Sequence, residues 1–369
     1  MKLVVISHTA HWKEKESYFA YGPYVREMNL WIENFEEIEV VAPLGTTARS
    51  EIHWQYNKSI KLQAIPSVSL LGFRQKIQTL FKLPRIWFAI YRAMRYADHI
   101  HLRCPGNIGL IGCFVQVFYP KKRKTAKYAG NWDPSSKQPW SYRLQKWILS
   151  NTYLTRNMNA MVYGEWPGQS SNVMSFFTAS YVNSKKTMVT KSSESPYRFL
   201  FVGSLVKGKQ PEYAIKLIHR LKQSGLEVLL DLYGDGSLKT DLADQVQRLS
   251  LENCIQFHGN KDAEVVERAY KKSHFLILPS KSEGWPKVVA EAMFWGCIPI
   301  VTPVSCVPWM LDQGNRGVLL KMEEIKDSQT IELLIKDEER ITELYMKAQQ
   351  WSQQYTLDRF SEAINDLCQ

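Results

Sequence analysis

Two glutamates near the start of one predicted helix are the residues best placed to do chemistry in this 369-residue chain. Glu283 precedes the helix, and Glu291 lies about two turns into it. Carboxylates at these positions can accept hydrogen bonds from hydroxyl groups at opposite ends of a nucleotide sugar. The free N–H groups of the first helical turn can bind an anion such as a diphosphate, and Pro286 favours a helix start there. The alternative is one capping glutamate and one surface glutamate.

Alternating strands and helices are predicted to position these glutamates. In the first half, the predicted strands are 3–7, 38–42, 60–65, 99–103, 124–129 and 160–163, and the helices are 23–35, 74–96, 108–118 and 140–155. In the second half, the strands are 198–202, 227–233, 255–258, 274–278 and 298–301, and the helices are 211–224, 238–249, 262–271, 286–295, 330–350 and 357–367. The Ser-rich stretch Asn183–Pro196 is typical of a linker. The pattern predicts an α/β chain with domains at 1–195 and 196–369, which bind ligands beyond the carboxyl ends of their strands.

The segment that holds the two glutamates also resembles a known sequence block. Glu283 and Glu291 are followed by Ala292, Met293, Gly296, Pro299 and Ile300. This pattern is similar to the E-x7-E block of family-4 glycosyltransferases. The resemblance is strong over 197–320 and only architectural over 1–195. It implies a retaining enzyme of the GT-B fold, with two Rossmann-like domains facing a central cleft and C-terminal helices packing back toward the first domain.

The resemblance assigns roles in a donor site to residues of the second half. Lys209 would hold the α- and β-phosphates, Glu291 the ribose hydroxyls, and Glu283 the donor sugar and the positive charge that develops on it. The other donor-binding residues that it implies are Gly22, Gly203, Ser204, Gly234, Gly259, Asn260, Gly284, Trp285, Pro286 and Lys287. The substrate would be a UDP- or GDP-sugar, without a cofactor.

Two positions depart from the family pattern. The family usually has arginine where this chain has Ser204. Lys207, or a basic residue of the first domain, could replace that missing cation. Trp309 stands where the family commonly has glutamate, a change that implies different local packing.

Candidate catalytic residues of the first domain are harder to choose. Many family members have a histidine after the strand that here ends near Tyr128, and this chain has none there. Asn131 or Asp133 could position the acceptor instead. His101, on the preceding predicted strand, is another candidate, and it could equally be a hydrogen-bonded core histidine. Arg103 is an alternative residue on the same strand.

The loop after the first predicted strand is long, from His8 to Tyr21, and only Gly22 precedes the helix that follows. The family normally has a Gly-Gly loop at this point. The insert, which includes His11 and Trp12, could line the cleft.

Positive charge is concentrated in the first half. Residues 1–195 carry 26 Lys and Arg against 12 Asp and Glu, whereas residues 196–369 carry 21 against 24. Between Glu51 and Asp133 the only acidic residue is Asp98. The basic residues predicted to face an anionic membrane or the acceptor are Lys82, Arg85, Arg92, Lys121, Lys122, Arg123 and Lys124. The alternatives are a solvated helix face and a nucleic-acid surface, but no nucleic-acid motif accompanies the charge, so no such partner is expected.

Several classes are disfavoured by what the sequence lacks. No apolar run is long enough for a membrane span or a secretory leader. The six cysteines show no C-x-x-C spacing, which favours a reducing compartment. No D-x-D triplet occurs, so a metal-independent site is expected, in which Lys209 and the helix N-terminus neutralise the leaving group.

The sequence thus predicts a sugar transferase acting on a glycan or lipid-linked acceptor at the inner face of the cytoplasmic membrane. The rival interpretations are a nucleotide-sugar epimerase or a phosphorylase of the same fold, and a non-catalytic membrane-surface scaffold.

Overall fold

The computed structural model describes residues 1–68, 73–191 and 194–369, with side chains of residues 73–78 excluded. The chain divides into two compact units. Unit 1 comprises Met1–Phe176 and Phe360–Gln369, and unit 2 comprises Phe177–Arg359. Each unit is built on its own parallel sheet, so the prediction of two α/β domains is confirmed.

Unit 1 contains a parallel sheet covered by helices. Its elements are β1 (Lys2–Ile6), β2 (His11–Glu14), β3 (Ser17–Tyr21), α1 (Gly22–Ile32), β4 (Glu37–Pro43), β5 (His53–Gln55), β6 (Lys61–Ile65), α2 (Phe73–Arg95), β7 (His99–Cys104), α3 (Asn107–Val115), β8 (Arg123–Tyr128), α4 (Trp140–Ser150), β9 (Met158–Tyr163) and β10 (Val173–Phe176). The sheet order is β10-β9-β8-β7-β1-β4-β6. The interior strand β1 has four fully buried apolar side chains, Leu3 to Ile6, as expected for a parallel strand covered on both faces.

The prediction of a long loop over residues 8–21 is wrong. Strands β2 and β3 form an antiparallel hairpin, and β5 pairs with β3 to complete a small second sheet. Within it, Trp12 donates from Nε1 to the carbonyl of Thr47 at 2.8 Å and packs on His53, with ring centroids 3.9 Å apart. The insert is therefore a folded sheet of unit 1.

Unit 2 repeats the alternation of strand and helix. Its elements are β11 (Tyr197–Val202), α5 (Pro211–Gln223), β12 (Val228–Tyr233), α6 (Lys239–Arg248), β13 (Ile255–Gly259), α7 (Ala263–Lys272), β14 (Phe275–Leu278), α8 (Lys287–Phe294), β15 (Ile298–Val301), α9 (Val307–Met310), β16 (Val318–Leu319), α10 (Glu324–Ile335) and α11 (Glu338–Ser352). The sheet order is β13-β12-β11-β14-β15-β16, and every pairing is parallel. The carboxyl ends of its strands therefore share one edge of the sheet.

The predicted linker Asn183–Pro196 is packed onto unit 2. Lys191 Nζ donates to the carbonyls of Tyr270 at 2.6 Å and Ser273 at 2.5 Å, at the end of α7. The backbone N–H of Val189 donates to Gln349 Oε1 at 3.0 Å. Ser192 and Ser193, which belong to the predicted linker, lie outside the described residues. The first unit therefore ends at residue 176 and the second begins at residue 177, whereas the prediction placed the boundary between residues 195 and 196.

The C-terminal region also differs in detail. The predicted helix 330–350 is two helices, because Asp337 starts α11 by accepting a hydrogen bond from the N–H of Arg340 at 2.9 Å. The last helix, α12 (Leu357–Cys368), begins in unit 2 and belongs to unit 1 from Phe360 onward. Phe360 packs on Phe176, with ring centroids 5.4 Å apart. Throughout the described ranges, every helix is too short or too polar to cross a bilayer.

Candidate functional site

Three glycine-containing loops meet at the carboxyl edge of the unit 2 sheet. The N–H of Gly203, after β11, donates to the carbonyl of Tyr233 at 2.9 Å, and the N–H of Gly234, after β12, donates to that of Gly259 at 2.9 Å. The N–H of Leu205 donates to the carbonyl of Asp235 at 3.0 Å. Gly203, Gly234 and Gly259, predicted to lie in the donor site, are thus brought together.

The approach of the first two loops requires glycine at position 234. Gly234 has φ 134°, which favours glycine, and a Cβ there would lie 2.0 Å from the carbonyl oxygen of Gly203. A side chain at this position would separate the loops. Local backbone geometry therefore explains this glycine without a ligand.

Lys209 and Glu283 form an ion pair at the same edge. Lys209 Nζ lies 2.5 Å from Glu283 Oε1, and the side chains are 28% and 10% exposed. The two loops that carry them are tied together, because the N–H of Lys281 donates to the carbonyl of Gly208 at 2.9 Å. Gln210 Nε2 also donates to the carbonyl of Pro279, at 2.8 Å. A partly exposed ammonium beside a carboxylate can exchange that partner for a phosphate oxygen.

Helix α8 starts directly after this pair. Pro286 is its N-cap residue and Lys287 its first helical residue, one position later than predicted. The carbonyl of Gly284 accepts hydrogen bonds from Ser305 Oγ at 3.0 Å and Cys306 Sγ at 3.2 Å, which fix the turn before the helix. The first turn of α8 therefore lies beside Glu283, as the anion-binding interpretation requires.

An aromatic cluster packs behind this turn. Trp285 lies 6.3 Å from Trp309, 6.2 Å from Trp351 and 5.8 Å from Tyr355, measured between ring centroids. Trp309, which replaces the family's glutamate, contributes to this packing. Trp285 is 7% exposed, so it supports the loop more than it offers a contact surface.

Glu291 already has two partners within unit 2. Its Oε1 accepts from Ser180 Oγ at 2.5 Å and its Oε2 from the Tyr270 hydroxyl at 3.1 Å. Burial, with Glu291 beside it, raises the pKa of Tyr270 well above its usual value, so the phenol stays a donor. The void next to Glu291 measures about 10 Å³, space for about one water molecule. A ribose at Glu291 would therefore have to displace the Ser180 hydroxyl or share an oxygen with it.

Other residues at this edge differ in exposure. Ser204, Lys207 and Asn260 are exposed, so they are free to meet a ligand. Ser280, which the sequence analysis missed, is 1% exposed, and its hydroxyl has no hydrogen-bond partner among the described residues. No motif marks this serine; its position directly after β14 was the available signal.

Asn131 and Asp133 follow β8 at the carboxyl edge of the unit 1 sheet, next to the end of β7. The N–H of Ala129 donates to the carbonyl of Cys104 at 2.7 Å. Asn131 Oδ1 accepts from the N–H of Asp133 at 2.9 Å, and Asp133 Oδ1 accepts from the N–H and hydroxyl of Ser135 at 2.8 and 2.7 Å. Both side chains therefore stabilise a turn in this structure.

Lys146 was not predicted and lies against the same loop. Its Nζ donates to the carbonyl of Asp133 at 3.1 Å and lies 5.6 Å from the centroid of Trp132. Burial lowers the pKa of Lys146 to about 8, and Asp133 opposes that shift.

His101 is a core residue and not a surface catalyst. It is fully buried, its Nδ1 is 2.9 Å from Thr125 Oγ1, and it packs on Trp31 at 4.3 Å between ring centroids. The pKa of His101 is well below its usual value. Burial is the main cause, and the positive charge of Arg103 adds to it. Of the two interpretations of His101, the structure supports the core histidine.

Gly22 and His11 are also internal. Gly22 is buried, and a Cβ there would lie 2.7 Å from the Trp54 ring, so packing explains the glycine and the predicted donor contact is wrong. His11 is fully buried, with Nε2 2.7 Å from the Tyr56 hydroxyl and Nδ1 2.8 Å from the carbonyl of Thr9. His8, in contrast, is exposed beside Gly106.

A buried ion cluster next to the ends of β7 and β8 was also missed. Glu27 of α1 pairs with Arg103 through Oε1 and with Lys127 Nζ through Oε2 at 2.9 Å, and Lys127 is 1% exposed. Burial would raise the pKa of Glu27, but the two cations outweigh it and hold that pKa well below its usual range. Lys127, a charged residue within the predicted strand 124–129, was the signal that could have revealed this cluster.

The basic run Lys121–Lys124 is partly structural. Lys122 Nζ donates to the carbonyls of Arg95 at 3.1 Å and Ala97 at 2.6 Å, which caps the end of α2. Lys124 is 2% exposed, donates to the carbonyl of Tyr119 at 2.9 Å, and has a pKa lowered to about 8 by burial. Arg123 donates to the carbonyl of Cys368 at 3.2 Å. The prediction that Lys124 faces a membrane is therefore wrong, and only Lys121 of the four is exposed without such a role.

The basic residues of α2 are better exposed. Arg85 and Arg92 are exposed, and Lys82 is half-buried with Nζ 3.5 Å from the carbonyl of Ser67.

Within the parts of the chain that are described, no three His, Cys, Asp or Glu side chains come together as a metal site requires. Metal independence stays a prediction.

Comparison with known proteins finds similarity in the second half of the chain. Residues 184–351 match the family Glycosyl transferases group 1. The amylovoran biosynthesis glycosyltransferase AmsK of Erwinia amylovora is 31% identical over 134 residues, 34% of this chain and 32% of that protein. An uncharacterized glycosyltransferase of Haemophilus influenzae is 28% identical over 167 residues, 44% of this chain and 46% of that protein. Each match thus spans less than half of the relative's length.

Solved structures match the chain over nearly its whole length. Sucrose-phosphate synthase from Thermosynechococcus elongatus has a TM-score of 0.66 at 14% identity, covering 100% of this chain and 98% of that one. Anabaena HepE in complex with UDP and glucose has a TM-score of 0.65 at 14% identity, covering 99% and 98%. At this identity the likeness shows the fold. The chain therefore has the GT-B fold, and its residues 184–351 are similar to the family Glycosyl transferases group 1.

Proposed function

We propose that the protein is a retaining family-4-type glycosyltransferase that moves a sugar from a nucleoside-diphosphate sugar to a glycan or lipid-linked acceptor. The observation that carries this proposal is the Lys209–Glu283 pair beside the first turn of α8, at the edge where the glycine loops meet. A cation, helix N–H groups and close backbone turns are what a diphosphate needs. A carboxylate next to them suits the sugar attached to that diphosphate.

In this proposal the donor's phosphates replace Glu283 as the partner of Lys209. Glu283 is then released to accept sugar hydroxyls and to stabilise positive charge at the anomeric carbon. Glu291, which shares its oxygens with Ser180 and Tyr270, accepts ribose hydroxyls. Lys209 and the first turn of α8 neutralise the leaving diphosphate without a metal ion.

The bond changes follow from this placement. The anomeric C–O bond to the β-phosphate breaks, and the acceptor oxygen attacks from the face that the diphosphate leaves, so the configuration is retained. The departing phosphate oxygen takes the acceptor's proton. No separate base is then required in unit 1, where Asn131 and Asp133 serve to position the acceptor.

The acceptor class is supported by relatives and by charge. One relative, of Campylobacter jejuni, is named GalNAc-alpha-(1->4)-GalNAc-alpha-(1->3)-diNAcBac-PP-undecaprenol alpha-1,4-N-acetyl-D-galactosaminyltransferase and is 27% identical over 174 residues. The names of others refer to amylovoran and colanic acid biosynthesis. Together with the basic α2, these names favour surface-polysaccharide synthesis by a protein bound peripherally to the inner face of the cytoplasmic membrane.

A donor screen tests the reaction. UDP- and GDP-sugars are incubated with the protein and a lipid-linked glycan acceptor, and products are read by mass. We expect one donor to give a product whose mass rises by one sugar, and Glu291→Ala to remove it. Glu264→Ala, an exposed glutamate of α7, is the control. Transfer by Glu291→Ala at the normal rate would refute the site, and no nucleotide-sugar binding by the native protein would refute the enzyme.

Flotation with vesicles tests the membrane proposal. The double variant Arg85→Gln/Arg92→Gln should lose binding to anionic vesicles, because both side chains are exposed on α2. Lys121→Gln should weaken it less, since one charge is removed instead of two. Unchanged flotation of the double variant would contradict the proposal.

A further inference from the structure

An apolar groove in unit 1 lies apart from the donor residues. It encloses about 470 Å³ between α2, α3 and the start of α4. Its apolar walls are formed by Leu83, Trp87, Leu110, Ile111, Phe114 and Trp140. A groove of this size and lining is typical of a ligand site.

The lining includes large exposed aromatic side chains. Trp140 is 64% exposed, Phe114 40% and Trp87 36%. Apolar groups of this size gain free energy when an apolar ligand removes them from water.

Part of the groove lining lies in segments that leave the carboxyl edge of the unit 1 sheet. Val68 and Asn107 come soon after β6 and β7, and Trp140 follows the loop after β8. The carboxyl ends of these parallel strands share one edge, where Asn131 and Asp133 also lie. A ligand in the groove would therefore have one end near the proposed acceptor position.

The charge at the rim is positive. Lys82 Nζ is within 3.5 Å of the carbonyl of Ser67, next to the lining residue Val68, and Arg85 follows the lining residues Leu83 and Pro84 on α2. From residue 52 to residue 132 the only acidic residue is Asp98. Apolar walls with a cationic rim complement a molecule that has one apolar chain and an anionic head.

We propose that this groove binds the hydrocarbon chain of an amphiphile whose head is a phosphate or diphosphate. This inference rests on the proposed function, since it makes that amphiphile the carrier of the acceptor sugar. The chain lies along Leu110, Ile111 and Phe114, Trp140 closes over it, and Lys82 and Arg85 meet the head. The groove thus selects lipid-linked over free-glycan acceptors.

Binding of farnesyl diphosphate, measured by calorimetry on the full-length protein, tests the proposal. Trp140→Ala and Phe114→Ala should each weaken it by about tenfold or more, because each removes apolar surface that the chain covers. Trp147→Ala and Phe88→Ala are matched controls, since these residues are 58% and 71% exposed on α4 and α2 and do not line the groove. The controls should bind normally, and circular dichroism should show all four variants folded.

Two further probes distinguish binding of the hydrocarbon chain from binding of the diphosphate head. Farnesol should bind more weakly than farnesyl diphosphate, and inorganic diphosphate should not compete at equal concentration. Equal binding by Trp140→Ala, Phe114→Ala and the native protein would overturn the proposal, as would competition by inorganic diphosphate. UDP binding, measured in parallel, reports on unit 2, so a failed groove and a failed enzyme assignment give different results.

Discussion

The carboxyl edges of the two sheets are built differently, although both sheets are parallel. In unit 2, the edge consists of glycine turns, an ion pair with a 28% exposed lysine, and the start of α8. In unit 1, the candidate side chains are bound in turns or buried, and Asn131, Asp133 and His101 all have partners within the unit. Polar groups with exchangeable partners are thus concentrated in unit 2.

Under the proposed function, this difference indicates that unit 2 would bind the nucleotide and unit 1 the acceptor. A nucleotide is bound mainly by backbone and fixed charge, which small loops can provide. An acceptor with an apolar chain is bound by shape and apolar surface, which the unit 1 groove provides. The predictions below test that contrast, from the largest expected effect to the smallest.

Removal of the Glu27 carboxylate should have the largest effect, a loss of stability at the carboxyl edge of the unit 1 sheet. Glu27→Ala leaves Arg103 and Lys127 as buried charges without their carboxylate, which costs about 3–5 kcal/mol. Urea unfolding followed by circular dichroism measures this loss, with Glu14→Ala, whose partner Arg49 is at the surface, as the control. A free energy of unfolding equal to that of the native protein would show that the cluster does not hold the edge.

Low pH should have the second-largest effect, a loss of stability of unit 1. Burial lowers the pKa of His11 and of His99 to about 4, so below pH 6.5 the unfolded chain binds protons that the folded chain does not. Stability should therefore fall as pH drops from 6.5 toward 4, by about 4 kcal/mol between pH 7 and pH 5 for the pair.

Unfolding free energies measured across this window check the prediction. His11→Gln and His99→Gln should each remove about a third of the slope, because His101, whose pKa burial also lowers, contributes a similar share. A double variant that keeps the full native slope would assign the acid sensitivity to other groups.

Lys209→Ala tests the unit 2 edge. We expect kcat/KM for transfer to fall by about a hundredfold, because a cation facing the developing diphosphate charge is lost. Lys272→Ala, an exposed lysine at the end of α7, is the matched control and should retain nearly native kcat/KM. Equal losses in both variants would indicate general electrostatic attraction and not a specific phosphate contact.

His101→Asn should have the smallest effect, and on stability alone. Loss of the Thr125 contact and of packing against Trp31 should cost about 1–2 kcal/mol, while kcat stays near native. A tenfold fall in kcat with unchanged stability would restore His101 as a catalytic residue.

Most strands and helices were predictable because they carry a strong apolar pattern, as in β1 and β14, whose residues are almost entirely buried. The short elements β10, α9 and β16 were not predicted. The β2–β3–β5 sheet was not, because its strands are three to five residues long and mostly half-exposed, so no alternating pattern stands out. The family resemblance placed Lys209, Gly203, Gly234 and Gly259 at or just after the ends of strands of one sheet, and the structure has them there. Glu27, Lys146 and Ser180 could not, because each acts through a partner at least 13 residues away in the chain.

The packing of Trp285 against Trp309, Trp351 and Tyr355 has a practical consequence. These rings form a chromophore cluster directly behind Gly284, which adjoins Glu283. Trp351 stacks on Trp285 with an interplanar angle of 23° and meets Trp309 at 79°, and tryptophans held in such an asymmetric arrangement give near-ultraviolet circular dichroism. Any ligand that shifts the turn before α8 would alter that signal, so the cluster should report optically on ligand binding at this turn.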